Sequence, residues 1–110
     1  MIYFAVTDRF FDGDAGNNDA YGVGDYNIGE KGGSSYHGGD FAGLNQKLDY
    51  LKDLGVNTIW ITPIVENITE DQHDNETDTA TYGYHGYWAS DFTKLNKHLG
   101  NEQQFKALLD

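Results

Sequence analysis

Two β-prone runs with a helix-period stripe between them constrain this chain more than any other feature. Ile2-Tyr3-Phe4-Ala5-Val6 is the first run, and Val56-Asn57-Thr58-Ile59-Trp60-Ile61 is the second, ended by Pro63. Between them Phe41, Leu44, Leu48, Leu51 and Leu54 recur at steps of three and four, which marks one apolar helix face. Asp40 stands at the expected N-cap and Gly55 at the expected stop. Strand, helix and strand in this order predict a βαβ unit with parallel strands and a right-handed crossover. The first run is apolar throughout and reads as a strand buried on both faces. A second helix is expected to begin near Gly100 or Asn101, with Phe105, Leu108 and Leu109 on its apolar side. A parallel pair alone has two open edges, and one helix and part of another cannot cover it. The α/β fold expected for residues 1–110 is therefore the opening βαβ portion of a (β/α)8 TIM barrel, which needs about 250 residues.

The balance of 18 acidic against 7 basic residues, a net charge of −11, makes a poor phosphate-binding surface and argues against nucleic acid. It suits a neutral polar ligand or a cation held at the surface. The chain has no cysteine, so a disulfide framework and a thiolate zinc site are excluded. No apolar run approaches the length of a bilayer span, so no membrane partner is expected. Met1 to Val6 lacks a basic start and a small-residue cleavage site, so no signal peptide is expected there.

Two long loop regions follow the strands, over 11–40 and 64–91. The first concentrates glycine between Gly13 and Gly43 and reads as a functional loop, because acids and aromatics interrupt it. Its opening, Asp12-Gly13-Asp14-Ala15-Gly16-Asn17-Asn18-Asp19, packs oxygen donors among glycines. Calcium takes about six to eight oxygens in a flexible shell, and such a stretch can supply them. An EF-hand does not fit, since its required glycine would be Asn17 and its closing glutamate Val23. A plain Asx-rich turn is the alternative. The histidines His37, His73, His85 and His98 lack helical zinc spacing, and neither a phosphate loop nor a G-x-S-x-G elbow occurs. The acids Glu66, Glu70, Asp71, Asp74, Glu76 and Asp78 read as a solvated loop. Asn67-Ile68-Thr69 and Asn75-Glu76-Thr77 match the glycosylation sequon.

Near the end of the second loop, Tyr84-His85-Gly86-Tyr87-Trp88-Ala89-Ser90-Asp91 gathers three aromatic rings, an imidazole and a carboxylate. Aromatic faces cover the C–H faces of a sugar, while imidazole and carboxylate bond its hydroxyls. An aromatic plug in a core is the competing reading.

The order of these segments resembles a known family. Thr7-Asp8-Arg9-Phe10, Asp12-Gly13-Asp14, Asn17-Asn18 and Gly38-Gly39-Asp40-Phe41 come first. Leu54 to Pro63, Val65-Glu66-Asn67-Ile68, His85-Gly86-Tyr87-Trp88 and Asp91-Phe92 follow. Together they resemble the start of the catalytic barrel in the α-amylase family of glycoside hydrolases, in the branch of calcium-binding α-amylases and cyclodextrin glucanotransferases. The resemblance implies a retaining enzyme acting on α-1,4-glucans such as starch and malto-oligosaccharides. It implies that Asp12, Asn17, Asn18, the Gly38 carbonyl and Asp40 bind Ca²⁺, with Asp14 where relatives often carry Asn. It implies that Tyr87 stacks under a glucose ring and that His85 and Trp88 bond or pack beside it. The catalytic carboxylates of such enzymes, and their Asp-x-x-x-Asn-His motif, have no counterpart in these residues, so no catalytic residue is assigned. Asp8 and Asp91 are expected to be structural. The remaining partner implied is the rest of the chain's own barrel, and an extracellular setting is suggested. A free-standing calcium- or sugar-binding module and a non-functional truncation product are the alternatives.

Overall fold

The computed structural model describes residues 1–27, 33–72 and 80–109. Strands β1 (Ile2–Ala5) and β2 (Thr58–Ile61) pair in parallel, with Phe4 opposite Trp60 and Ala5 opposite Ile61. This is the βαβ unit that the two apolar runs predict. Successive side chains point to opposite faces of a strand. Ile59 and Ile61 share an apolar cleft with Leu44, Leu48, Phe105 and Leu108, and Ala5 is buried on the same side.

The other side of the pair is open. Phe4 is 52 % exposed and Trp60 64 % exposed, and Ile2 is exposed beside them. The expectation of a strand buried on both faces is thus corrected: helices cover one face only among the described residues. The Phe4 and Trp60 rings meet edge to face, 5.8 Å between centroids, and shield each other only in part. The described residues form two separate two-stranded sheets and no closed barrel.

After β1 the chain makes one helical turn, α1 (Thr7–Phe10), and then a short 3₁₀ turn at Ala15–Asn17. The single helix expected from the leucine spacing is two helices, α2 (Phe41–Gln46) and α3 (Leu48–Asp53). They meet at Lys47, whose φ of −103° and ψ of 8° leave the helical range. The stripe survives the break, because Phe41, Leu44 and Leu51 are all buried, although Leu54 is exposed. Asp40 caps α2 by accepting the Gly43 N–H at 2.8 Å, as expected. Val56 N–H returns to the Leu51 carbonyl after Gly55 and closes α3.

The region 64–91, expected to be loop, contributes strands to a second sheet. Strand β3 (Val65–Asn67) pairs antiparallel with β4 (Ala89–Leu95), Val65 opposite Leu95 and Asn67 opposite Ala89, with irregular register on both sides of Glu66. Neither strand shows the alternation that would reveal it, because β3 is short and β4 carries exposed Phe92 and Lys94. Helix α4 (Glu102–Leu109) follows. Asn101 and Gln104 exchange hydrogen bonds at 3.0 and 2.8 Å, a reciprocal cap at its start. Among the described residues no helix is long and apolar enough to cross a membrane.

A polar core ties the glycine-rich loop to the turn after β4. His98 Nε2 lies 2.8 Å from Asp25 Oδ2, and both side chains are buried. The Tyr36 ring stacks on His98 at 3.6 Å, its hydroxyl donates to the Gly83 carbonyl, and Asn96 donates to that hydroxyl. The loop therefore packs as part of the body.

Candidate functional site: an oxygen-lined loop and an aromatic cluster

The oxygen-rich loop closes on itself through Asp12, Asn18 and Gly38. Asn18 Nδ2 donates to Asp12 Oδ2 at 2.8 Å. Gly38 has φ of +95°, and a Cβ there would lie 2.7 Å from Asp12 Oδ2 and 2.8 Å from Asn18 Oδ1. Only glycine fits this left-handed, crowded position. The side-chain oxygens of Asn17 and Asn18 are buried without a hydrogen-bond partner. Unpaired buried acceptors of this kind are rare and call for a donor or a cation.

Asp40 sits under the same loop and accepts from Gly13 N and Asp14 N at 3.0 Å, besides capping α2. Burial raises its pKa, and the Gly43, Gly13 and Asp14 amides oppose that shift. Asp14 is turned to other work: Oδ1 caps the 3₁₀ turn through Gly16 N at 2.9 Å, and Oδ2 accepts from Gln104 at 3.2 Å. No three His, Cys, Asp or Glu side chains converge on one point among the described residues. The oxygens gathered around Gly38 are the Asn18 amide oxygen and the Asp12 carboxylate.

His85, Tyr87 and Trp88 do come together. The His85 ring meets the Trp88 ring edge-on at 4.6 Å and 89°, and lies 5.9 Å from Tyr87. Tyr87 is 61 % exposed, which is inconsistent with an aromatic plug. Gly86 passes so close to Pro63 that a Cβ would lie 2.4 Å from its carbonyl oxygen, and φ is +87°. His85 Nδ1 accepts the Tyr87 N–H at 3.0 Å, so the neutral ring carries its proton on Nε2 and can donate from there. Partial burial lowers the His85 pKa, which favours that neutral form.

Asn67 is a site residue that sequence reasoning missed. It is 3 % exposed. Its Oδ1 accepts the Trp88 N–H at 2.8 Å, and its Nδ2 donates to the Val65 carbonyl at 2.8 Å. The sequon at Asn67 is thus a structural asparagine with its nitrogen engaged, and the sequon at Asn75 lies outside the described residues. So do His73, Asp74, Glu76 and Asp78. Asp91 accepts from the Thr93 N–H and hydroxyl, the cause of its lowered pKa.

The sequence and fold of the chain match known proteins. The alpha amylase catalytic domain, as a family model, matches residues 4–110. This chain belongs to the alpha-amylase family. Among its relatives is the cyclomaltodextrin glucanotransferase of Klebsiella oxytoca, 45% identical over 108 residues, which are 97% of this chain and 15% of that enzyme. The periplasmic alpha-amylase of Escherichia coli is 41% identical over 114 residues, 99% of this chain and 16% of that enzyme. A solved cyclomaltodextrin glucanotransferase with a three-domain organisation, CldA, superposes with a TM-score of 0.90 at 36% identity, over 99% of this chain and 22% of that one. The chain thus spans about one-sixth of the length of these curated alpha-amylase relatives.

Proposed function

We propose that this chain is the opening segment of a (β/α)8 catalytic barrel in a retaining enzyme acting on α-1,4-glucans. The observation that carries the reading is the exposed Tyr87 ring beside His85 and Trp88. A glucose ring stacks its C–H face on Tyr87, and His85 Nε2–H donates to a hydroxyl. The names of the relatives, amylases and glucanotransferases, agree with a glucan ligand.

The loop residues fit Ca²⁺. Asp12, Asn17, Asn18 and the Gly38 carbonyl would hold it, with Asp40 and Asp14 close by. The unpaired Asn17 and Asn18 oxygens and the cradle that Gly38 leaves open are the donors and space a hard cation needs. Bound calcium supplies a fixed positive charge that cross-links the start of the loop to the segment before α2. Bond breaking in retaining glycosidases takes two carboxylates, a nucleophile and an acid/base. Asp8 is engaged with the His37 backbone N–H and Asp91 with that of Thr93, and neither is assigned to either role.

A free-standing sugar-binding module is the weaker reading, because Ile2, Phe4 and Trp60 leave one sheet face uncovered. Two measurements test the proposal. Maltotriose should change the tryptophan fluorescence of the protein saturably, and Tyr87→Ala should move that saturation to higher maltotriose concentration. Residues 1–110, purified free of contaminating amylase, should release no reducing ends from starch. A folded protein blind to maltotriose overturns the sugar site, and turnover by residues 1–110 alone overturns the placement of the acids elsewhere.

A further inference from the structure

We propose that Asp8 is the positioning residue of the cation loop, presetting the backbone at Gly38 before any ion arrives. The inference rests on the reading that this loop holds calcium.

Asp8 lies just after β1 and is 1 % exposed. Both of its carboxylate oxygens accept the His37 N–H at 2.9 Å, and Oδ1 also accepts the Gly38 N–H at 3.2 Å. Its own carbonyl accepts the Gly39 N–H at 2.7 Å. Three successive amides therefore converge on one residue. The peptide unit is planar and trans, so its N–H and C=O point in opposite directions. Fixing the Gly39 N–H against the Asp8 carbonyl turns the Gly38 carbonyl away from the Asp8 backbone. The carboxylate holds the two preceding amides and keeps Gly38 at its left-handed φ, where Asp12 and Asn18 leave no room for a side chain.

A buried carboxylate needs compensation, and Arg9 supplies it. Its guanidinium contacts the Asp8 carboxylate and donates to the Ser35 and Gly33 carbonyls at 2.7 and 2.6 Å. Charge balance alone would be met by that pair. The three amide bonds to residues 37–39 go further, and they address the one segment of the loop whose ligand is a main-chain atom. Such outer partners orient a ligand without touching the metal.

Terbium in place of calcium tests this on the protein. Wild type should show sensitised Tb³⁺ emission that Ca²⁺ displaces. Asp8→Asn keeps the shape of the side chain but loses one acceptor. With its far-UV circular dichroism unchanged, it should bind Tb³⁺ roughly 10- to 100-fold more weakly, the usual loss when such a partner is removed. Its emission lifetimes in H₂O and D₂O should report an added water where the carbonyl has left the shell. Wild-type affinity and hydration in Asp8→Asn overturn the inference and leave the calcium reading standing. Absence of Tb³⁺ binding by folded wild type overturns both. Should Asp8→Asn fail to fold, amide exchange on wild type decides: His37 and Gly38 should exchange slowly without metal. Rapid exchange that slows only when metal is added overturns the presetting role.

Discussion

Asn67 grips the backbone of Trp88 from the neighbouring strand. One amide side chain accepts the Trp88 N–H through Oδ1 and donates to the Val65 carbonyl through Nδ2, both at 2.8 Å. The Ile68 N–H reaches back to the Trp88 carbonyl at 2.9 Å. Trp88 is thus held on both of its main-chain groups by the end of β3. The aromatic cluster owes its placement to this contact between residues 21 positions apart.

Truncating Asn67 should therefore loosen both fold and site. Asn67→Ala leaves the Trp88 N–H without its acceptor, a loss of about 1–3 kcal/mol for a buried group. Urea unfolding should show a lower midpoint, and maltotriose binding should weaken with it.

Tyr87→Ala should separate binding from stability. The ring is largely exposed, and such substitutions usually stay within about 0.5 kcal/mol of wild-type stability. Affinity for maltotriose should fall by roughly two- to tenfold, the worth of one ring-face contact. A large shift of the unfolding midpoint would show that the ring is structural instead.

Gly38→Ala should remove cation binding. The added methyl meets Asp12 and Asn18 at 2.7 and 2.8 Å, in a backbone conformation that costs a non-glycine residue about 1–3 kcal/mol. Calorimetric titration with Ca²⁺ checks this. Retained affinity would show that no ion sits against Gly38.

His98→Ala should destabilise the protein by about 1–3 kcal/mol, because the buried Asp25 carboxyl group loses its hydrogen-bond partner. Oδ1 of Asp25 has no hydrogen-bond partner, so nothing replaces the lost contact. Adding Asp25→Ala to His98→Ala should restore part of the loss, because the stranded carboxylate then goes too. Chemical denaturation of the two single variants and the double one measures the coupling.

The pH dependence follows from His85. Burial lowers its pKa below the ordinary 6.5, so the folded state prefers the neutral ring. The contribution is present above 6.5 and is lost as pH falls through the lower folded value. Protonation also removes Nδ1 as the acceptor for Tyr87 N–H. Maltotriose affinity should decline over that acidic range, and His85→Gln should flatten this part of the profile.

Much of the fold was legible in the chain. Parallel pairing of β1 and β2 followed from two apolar runs with a helix stripe between them, and the Asp40 cap from its position before Phe41. The break at Lys47 was not legible, because the apolar spacing continues smoothly through it. Nor were β3 and β4, whose pairing depends on each other and not on a period of their own. The aromatic cluster was visible as a run of adjacent residues. Asn67 was not, since an asparagine in a sequon carries no sign of what its amide will meet.

The sequence by itself determined which chemical groups the loops carry, oxygens in one and rings in the other, because composition and local turn preference are properties of neighbouring residues. Only the tertiary structure decided how they are held: Asp8 on residues 37–39, Asn67 on Trp88, and His98 on Asp25 and Tyr36. These are contacts between residues far apart along the chain, and the energy of each depends on burial and direction, which exist only once the chain has folded.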